Sequence, residues 1–202
     1  MKKRILLTFG PCATKIDKVR FILNSSTGET GKEILKELLK RKLEIDCIVF
    51  KGLLKKKTKV NLFEYFFFEE FKSVFLKLLK NKKYDIIIHL SALPDFKLEK
   101  EFKKKIDSKK PLILKLIPTE KLIDKIRKFQ KKAIICGFKL SFSKNILKKA
   151  LELKKRAKLN IVVANTYNEK NNYKALIITE NKILGPFNSK RILAKELIKT
   201  IL

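Results

Sequence analysis

Six short apolar runs, alternating with amphipathic stretches, constrain this chain more than any other feature. They are RILLTF (Arg4–Phe9), EIDCIVF (Glu44–Phe50), YDIIIHL (Tyr84–Leu90), PLILKLI (Pro111–Ile117), AIICGF (Ala133–Phe138) and NIVVAN (Asn160–Asn165). Each has the length of a strand and is apolar at successive positions, which calls for burial on both faces. Between them the apolar residues fall at helical spacing. Ile34, Leu35, Leu38 and Leu39 line one face of TGKEILKELLKRK, with Thr30 and Glu33 at capping-box distance. A longer Phe-rich helix is expected around Leu62–Leu79. Leu122, Ile123, Ile126 and Phe129 form a stripe behind Thr119 as N-cap. Ser143–Lys158 and Ser189–Leu202 complete the helices, and ALIITENKILGPF reads as a hairpin turning at Glu180 and Asn181. The pattern predicts a Rossmann-like three-layer α/β/α fold with a mostly parallel, mixed sheet.

A chain of 202 residues, 45% hydrophobic, supports one well-cored domain and excludes a disordered basic tail. No apolar run is long enough to span a bilayer. The opening MKKRILLTFG is basic, but its apolar run of about six residues ends at Gly-Pro. That is shorter than a secretory core, so a first strand and a cytoplasmic location are expected. Cys12, Cys47 and Cys136 are odd in number and contain no CxxC pair, which supports neither a disulfide framework nor a zinc site. The formal charge of +30 suits nucleic acid, phosphorylated metabolites or an anionic surface. It is also what a compositional bias toward Lys would give, because the basic residues are spread along the whole chain without aromatic interleaving.

Two connections are too long to be simple turns. About twenty residues separate Phe9 from Thr30, and Ser91 to Lys110 is a second excursion; both follow the C-terminal end of a predicted strand, where open α/β sheets bind ligands. The first contains NSSTGETG before a helix. Gly28 would let an anion approach the backbone, Gly31 would let the helix sit close to the sheet, and Ser25, Ser26 and Thr27 supply hydroxyls. The same residues also make an ordinary helix cap. The stretch is neither GxGxxG nor GxxxxGK[ST], which weighs against dinucleotide and P-loop readings. The second connection carries one acid, Asp95, able to bind a ribose hydroxyl, then a dense lysine run that is either a solvated segment or a closure over a triphosphate. His89, the only histidine, lies in an apolar strand and reads as a core residue.

Taken in order, these segments resemble the phosphopantothenoylcysteine synthetase (phosphopantothenate–cysteine ligase) family. GPCATKIDKVRFILNSSTGETG is similar to the family's glycine-rich opening, and DIIIHLSALPDF to its DI.I.AAAVADF element. KKIDSKKPLILKL resembles its lysine flap and following strand; IICGFKLSF and LNIVVAN resemble its last strands. The resemblance implies a single ligase domain over 1–202 with a mobile lysine-rich flap at about 97–110. Such an enzyme joins 4′-phosphopantothenate to cysteine through an acyl-nucleotide driven by CTP or ATP.

By that resemblance Asn24 holds the acyl-nucleotide, and Lys105 on the flap stabilises charge in the first step. Arg20 places phosphopantothenate, with Asn24 and Ala92 beside it. Gly10, Ser26, Thr27, Gly28, Ser91, Ala92, Asp95 and Phe138 line the nucleotide site, together with Glu120, Lys121, Leu122 and Ile123 and a pair of helix lysines, Lys154 and Lys158. Mg²⁺ is expected to ride on the triphosphate. FMN is not expected, because 202 residues leave no room for the flavin-dependent decarboxylase to which many members of that family are fused. A homodimer is implied, and neither a membrane nor a nucleic-acid partner. Ser91 and Pro94 stand where alanines are common, and GFKLSF is nearer the ATP-using type than the CTP-using GFAAET type. The competing readings are a basic nucleic-acid-binding protein and a dinucleotide-dependent oxidoreductase.

Overall fold

The computed structural model describes residues 2–55, 57–142, 145–167 and 172–202. Eight strands form the main sheet: β1 (Arg4–Gly10), β4 (Glu44–Phe50), β5 (Asn61–Tyr65), β6 (Ile86–Ser91), β9 (Ile134–Leu140), β10 (Ile161–Tyr167), β11 (Tyr173–Ile178) and β12 (Ile183–Phe187). Two small ribbons pair β2 (Ala13–Lys15) with β3 (Phe21–Leu23) and β7 (Phe96–Leu98) with β8 (Leu116–Pro118). The sheet order is β12-β11-β10-β9-β6-β1-β4-β5. The six strands from β5 to β10 are parallel, and β11 and β12 turn back antiparallel as the hairpin predicted.

Alternation of side chains along each strand builds two cores, one per face of the sheet. Ile5, Leu7 and Phe9 point to the face covered by α1 (Glu29–Leu39) and α5 (Lys190–Ile201), meeting Ile34, Leu38, Leu193 and Leu197. Leu6, Ile48, Ile87 and Ile135 point to the other face, where α2 (Phe68–Asn81), the short α3 (Ile126–Phe129) and α4 (Ile146–Arg156) close the layer. Phe71 and Phe75 of α2 are fully buried there, each contributing about 1.5–3 kcal/mol by removal from water. Both faces of the central parallel strands β1, β4 and β6 are therefore largely dry, as their apolar runs require.

Four sequence expectations are corrected. The stretch expected as one helix over 62–79 divides into β5 and α2, because Asn61–Tyr65 is drawn into the sheet beside β4 in the register Cys47↔Leu62 and Val49↔Glu64. Pro111–Ile117 is not a strand of the main sheet; only Leu116–Pro118 is extended, and it pairs with β7. Thr119 caps no helix, since its hydroxyl donates to the Pro94 carbonyl and a 3-10 turn begins later, at Leu122. Thr30 and Glu33 form no capping box: both lie inside α1, and Glu33 instead accepts from Lys36 at 2.5 Å. The helix expected from Ser143 begins at Ile146 among the described residues, with Ser143 and Lys144 outside them. No helix among the described residues is long and apolar enough to cross a membrane.

Candidate active site

The chain leaves β1, builds the sheet outward through β4 and β5, and returns to the other side of β1 as β6. The connections from β1 and β6 therefore diverge, and the crevice between their C-terminal ends is where a doubly wound sheet receives a ligand. A cavity of about 830 Å³ opens there. One wall is the first long loop, with Gly10, Asn24, Ser25, Ser26, Thr27 and Gly28 leading into α1. Another is the segment after β6, with Ser91, Ala92 and Asp95. The floor and far wall carry Glu120, Lys121, Leu122, Ile123 and Phe138.

Specific hydrogen bonds fix this rim. Ala92 is held at both backbone groups: its N–H donates to the Gly10 carbonyl at 2.9 Å, and its carbonyl accepts from Asn24 Nδ2 at 2.8 Å. Asn24 thus has one amide N–H committed, with its second N–H and its Oδ1 left for other partners. The Thr119 hydroxyl and N–H bond the carbonyls of Pro94 and Asp95, which sets the loop after β6.

Gly28 is the N-cap of α1 at φ 72°, a left-handed conformation that glycine adopts without steric cost. Gly28 supplies no side-chain cap, and the Glu29 N–H makes only a long 3.4 Å bond to Thr27 Oγ1, so the start of α1, with Thr27 to Gly31 on the cavity wall, is suited to an anion. Gly31 packs flat on Phe9: a Cβ there would fall 2.2 Å from Phe9 Cγ.

The acidic groups on the wall are each engaged by lysine. Asp95 pairs with Lys121, Glu29 with Lys190, and Glu120 with both Lys125 and Lys72, which hold its carboxyl below the usual range. No group of three metal-ligating side chains occurs among the described residues. His89 is buried, lies 2.8 Å from the Thr8 hydroxyl through Nδ1 and stacks on Phe75 at 5.2 Å. Burial lowers its pKa to about 4, which keeps the ring neutral. Burial also pushes the Cys12 thiol up to about 12, so it is no thiolate nucleophile at neutral pH.

Four residues singled out in the sequence lie off the cavity wall. Arg20 sits in the turn between β2 and β3, where its Nη1 bonds Asp17 Oδ2 at 2.8 Å and the Ile106 carbonyl at 3.1 Å. Lys105 is exposed on the segment between β7 and β8. Lys154 and Lys158 are also absent from it: α4 presents Leu153 and Arg156, three apart on one face, so Lys154 is rotated away. Lys158 follows the helix, and its carbonyl is what the fold uses, accepting from Arg127.

The cavity also takes in residues that the sequence did not mark: Lys139, Leu140, Phe142, Asn165, Tyr167 and Lys190. The hydrophobic ones looked like core, and Lys190 was one among fifty basic residues. A second, more open cleft of about 570 Å³ lies along α1 and α5, but most of its charges already pair, Lys36 with Glu33, Lys40 with Glu37 and Lys190 with Glu29.

Fold and site together define a Rossmann-like α/β protein with an anion-receptive cavity at its topological switch point. The chain belongs to the family described as the DNA/pantothenate metabolism flavoprotein C-terminal domain, matched over residues 1–202. It is 34% identical over 167 residues to the coenzyme A biosynthesis bifunctional protein CoaBC of Thermococcus kodakarensis, covering 81% of this chain and 41% of that protein. To the protein of the same description from Borreliella burgdorferi it is 31% identical, covering 98% and 52%. The chain thus spans about half the length of these curated relatives. Among solved structures, the DNA/pantothenate metabolism flavoprotein from Streptococcus pneumoniae superposes with a TM-score of 0.83 at 20% identity, over 100% of this chain and 98% of that one. A Cab2 mutant in complex with phosphopantothenate-cysteine superposes at 0.81 and 15% identity, over 98% and 85%.

Proposed function

We propose that this protein is a phosphopantothenate–cysteine ligase of coenzyme A biosynthesis. The observation that carries the reading is Asn24 pinned to the Ala92 carbonyl beside the N-terminus of α1, on the wall of a cavity of about 830 Å³. In the first step the carboxylate of 4′-phosphopantothenate attacks the α-phosphorus of CTP or ATP and pyrophosphate leaves. In the second, the amine of cysteine attacks the acyl carbon and the nucleoside monophosphate leaves with the former carboxylate oxygen. Both steps gather negative charge, so fixed N–H donors and cations are the groups that speed them.

In this reading the first N–H groups of α1 with Ser26, Thr27 and Gly28 receive a phosphate, and the free N–H of Asn24 holds the acyl carbonyl. Asp95, Ser91 and Phe138 border the ribose and base. Arg20 and Lys105 act from the adjoining turn and flap, on the substrate anion and the triphosphate. The wall's carboxylates are lysine-paired, which fits a Mg²⁺ held by the triphosphate's own oxygens, where it would neutralise phosphate charge. A homodimer and a cytoplasmic location belong to the same proposal.

The test is incubation of the purified protein with 4′-phosphopantothenate, cysteine and Mg²⁺, with CTP and ATP in parallel, read by mass spectrometry. Ligated product and pyrophosphate are expected, falling at least about a hundredfold in Asn24→Ala at unchanged thermal stability. Folded wild-type protein that yields neither would sink the assignment. Nucleic-acid binding that falls steeply with salt and survives Asn24→Ala would then take its place.

A further inference from the structure

The segment between β7 and β8 is exposed over most of its length, yet one residue in its middle is held at both of its backbone polar groups. The Ile106 N–H donates to Asp17 Oδ2 at 3.0 Å, and the Ile106 carbonyl accepts from Arg20 Nη1 at 3.1 Å. A second tether lies four residues earlier, where the Phe102 N–H donates to the Ile16 carbonyl at 3.1 Å. The two ties bracket Lys103, Lys104 and Lys105.

Asp17 is built for this work. Its carboxylate is fully removed from solvent in a protein with fifty basic residues. Oδ1 accepts from the N–H groups of Val19 and Arg20 at 2.8 Å each, which shapes its own turn. Oδ2 takes the Arg20 guanidinium and the Ile106 N–H, which reaches 89 residues along the chain. An ionised carboxylate with four donors on two oxygens is a strong, directional anchor. The turn it organises belongs to the same loop that carries Asn24 to the cavity, and Thr14 of that loop also bonds the Phe96 carbonyl at 3.3 Å.

We infer that Asp17, with Arg20, is a clamp that positions Lys105 by gripping the peptide groups of Ile106, making Asp17 a positioning residue for the lysine segment. The inference rests on the ligase reading for what Lys105 does, and on the geometry alone for where it is held. Asp17 touches no reacting atom. Arg20, shared between the clamp and the anionic substrate, ties the state of the segment to occupancy of the substrate site.

Two measurements test it. Limited trypsin digestion of the full chain should cut the 103–105 segment at least about tenfold faster in Asp17→Asn than in wild type. Ile106→Pro should do the same at the bonds after Lys103 and Lys104, the Lys105–Pro bond being resistant to trypsin, since it deletes the clamped N–H without touching the Asp17 turn. Pyrophosphate release should fall in Asp17→Asn, and Asp17→Asn/Lys105→Ala should be no slower than Lys105→Ala alone, the signature of one pathway. Unchanged cleavage in both variants would overturn the clamp. Additive losses in the double variant would overturn its link to Lys105. Absence of pyrophosphate from wild type would instead overturn the ligase reading, and the digestion would still decide the clamp.

Discussion

Gly31 is the most closely packed of the six glycines, with the place of its missing Cβ already occupied by the ring of Phe9. Because Phe9 is itself fully buried, the ring has no room to withdraw. Gly31→Ala should therefore cost about 1–3 kcal/mol through overpacking, seen as a lowered urea midpoint, and Phe9→Leu in the same chain should recover part of the loss. An unchanged midpoint would contradict the packing. His89 makes a second prediction, in pH. Its buried ring titrates near 4 where the free side chain titrates at 6.5, so between those values the unfolded chain holds the extra proton. Stability should then fall by on the order of 3 kcal/mol as pH drops from about 6.5 to about 4, and be flat above. His89→Gln should remove that slope in denaturant titrations. The separate loss through Asp17, whose bond from the Ile106 N–H does most to hold its carboxyl near about 2, begins only below about pH 4. Gly28 and Gly31 were visible in the sequence because the chain has only six glycines and two fall three apart at the start of a helix, whereas the role of Asn24 came from the family resemblance. Asp17 was passed over because its partners, Ile106 above all, are remote in sequence.

Arg127 acts between elements. Its guanidinium donates to the carbonyls of Gln130, Lys131 and Ala133 after α3, to the Lys158 carbonyl after α4, and to Asn160 Oδ1 at 2.7 Å before β10. Lys158 stands at φ 52°, and its carbonyl is held in place by this fork. A lysine has one point charge and no fork, so Arg127→Lys should cost about 2 kcal/mol in equilibrium unfolding. A change within ~0.5 kcal/mol would show the network to be incidental. Elements were legible where period and burial agreed: β1, β4, β9 and β10 each hold a mostly apolar run and lie inside the sheet. They were misread where a strand is half-exposed at an edge. In β5, Asn61 and Glu64 are exposed and Leu62 and Phe63 only partly covered, a pattern that merges into the Phe-rich start of α2. PLILKLI is apolar enough for a core strand, but Leu112 and Ile113 are exposed and only its end pairs, with β7. Local sequence does not tell an exposed apolar loop from a buried strand.

At the scale of the molecule, the +30 charge is not concentrated at the cavity. Among the described residues, four basic and three acidic side chains line it, so nearly all of the excess lies elsewhere. Such a field still draws in polyanionic substrates and is weakened by salt. What makes the site is topology: the divergence of the chain at β1 and β6 brings Asn24, Ala92 and the start of α1 together from separate loops. The central claim is that a carboxylate oxygen is passed to the α-phosphorus in this crevice. It is tested most directly by supplying 4′-phosphopantothenate labelled with ¹⁸O in its carboxylate, with cysteine and the preferred nucleotide, and weighing the products. The account predicts one ¹⁸O atom in the nucleoside monophosphate for each amide formed. Label appearing instead in inorganic phosphate, or no label transfer during ligation, would contradict it.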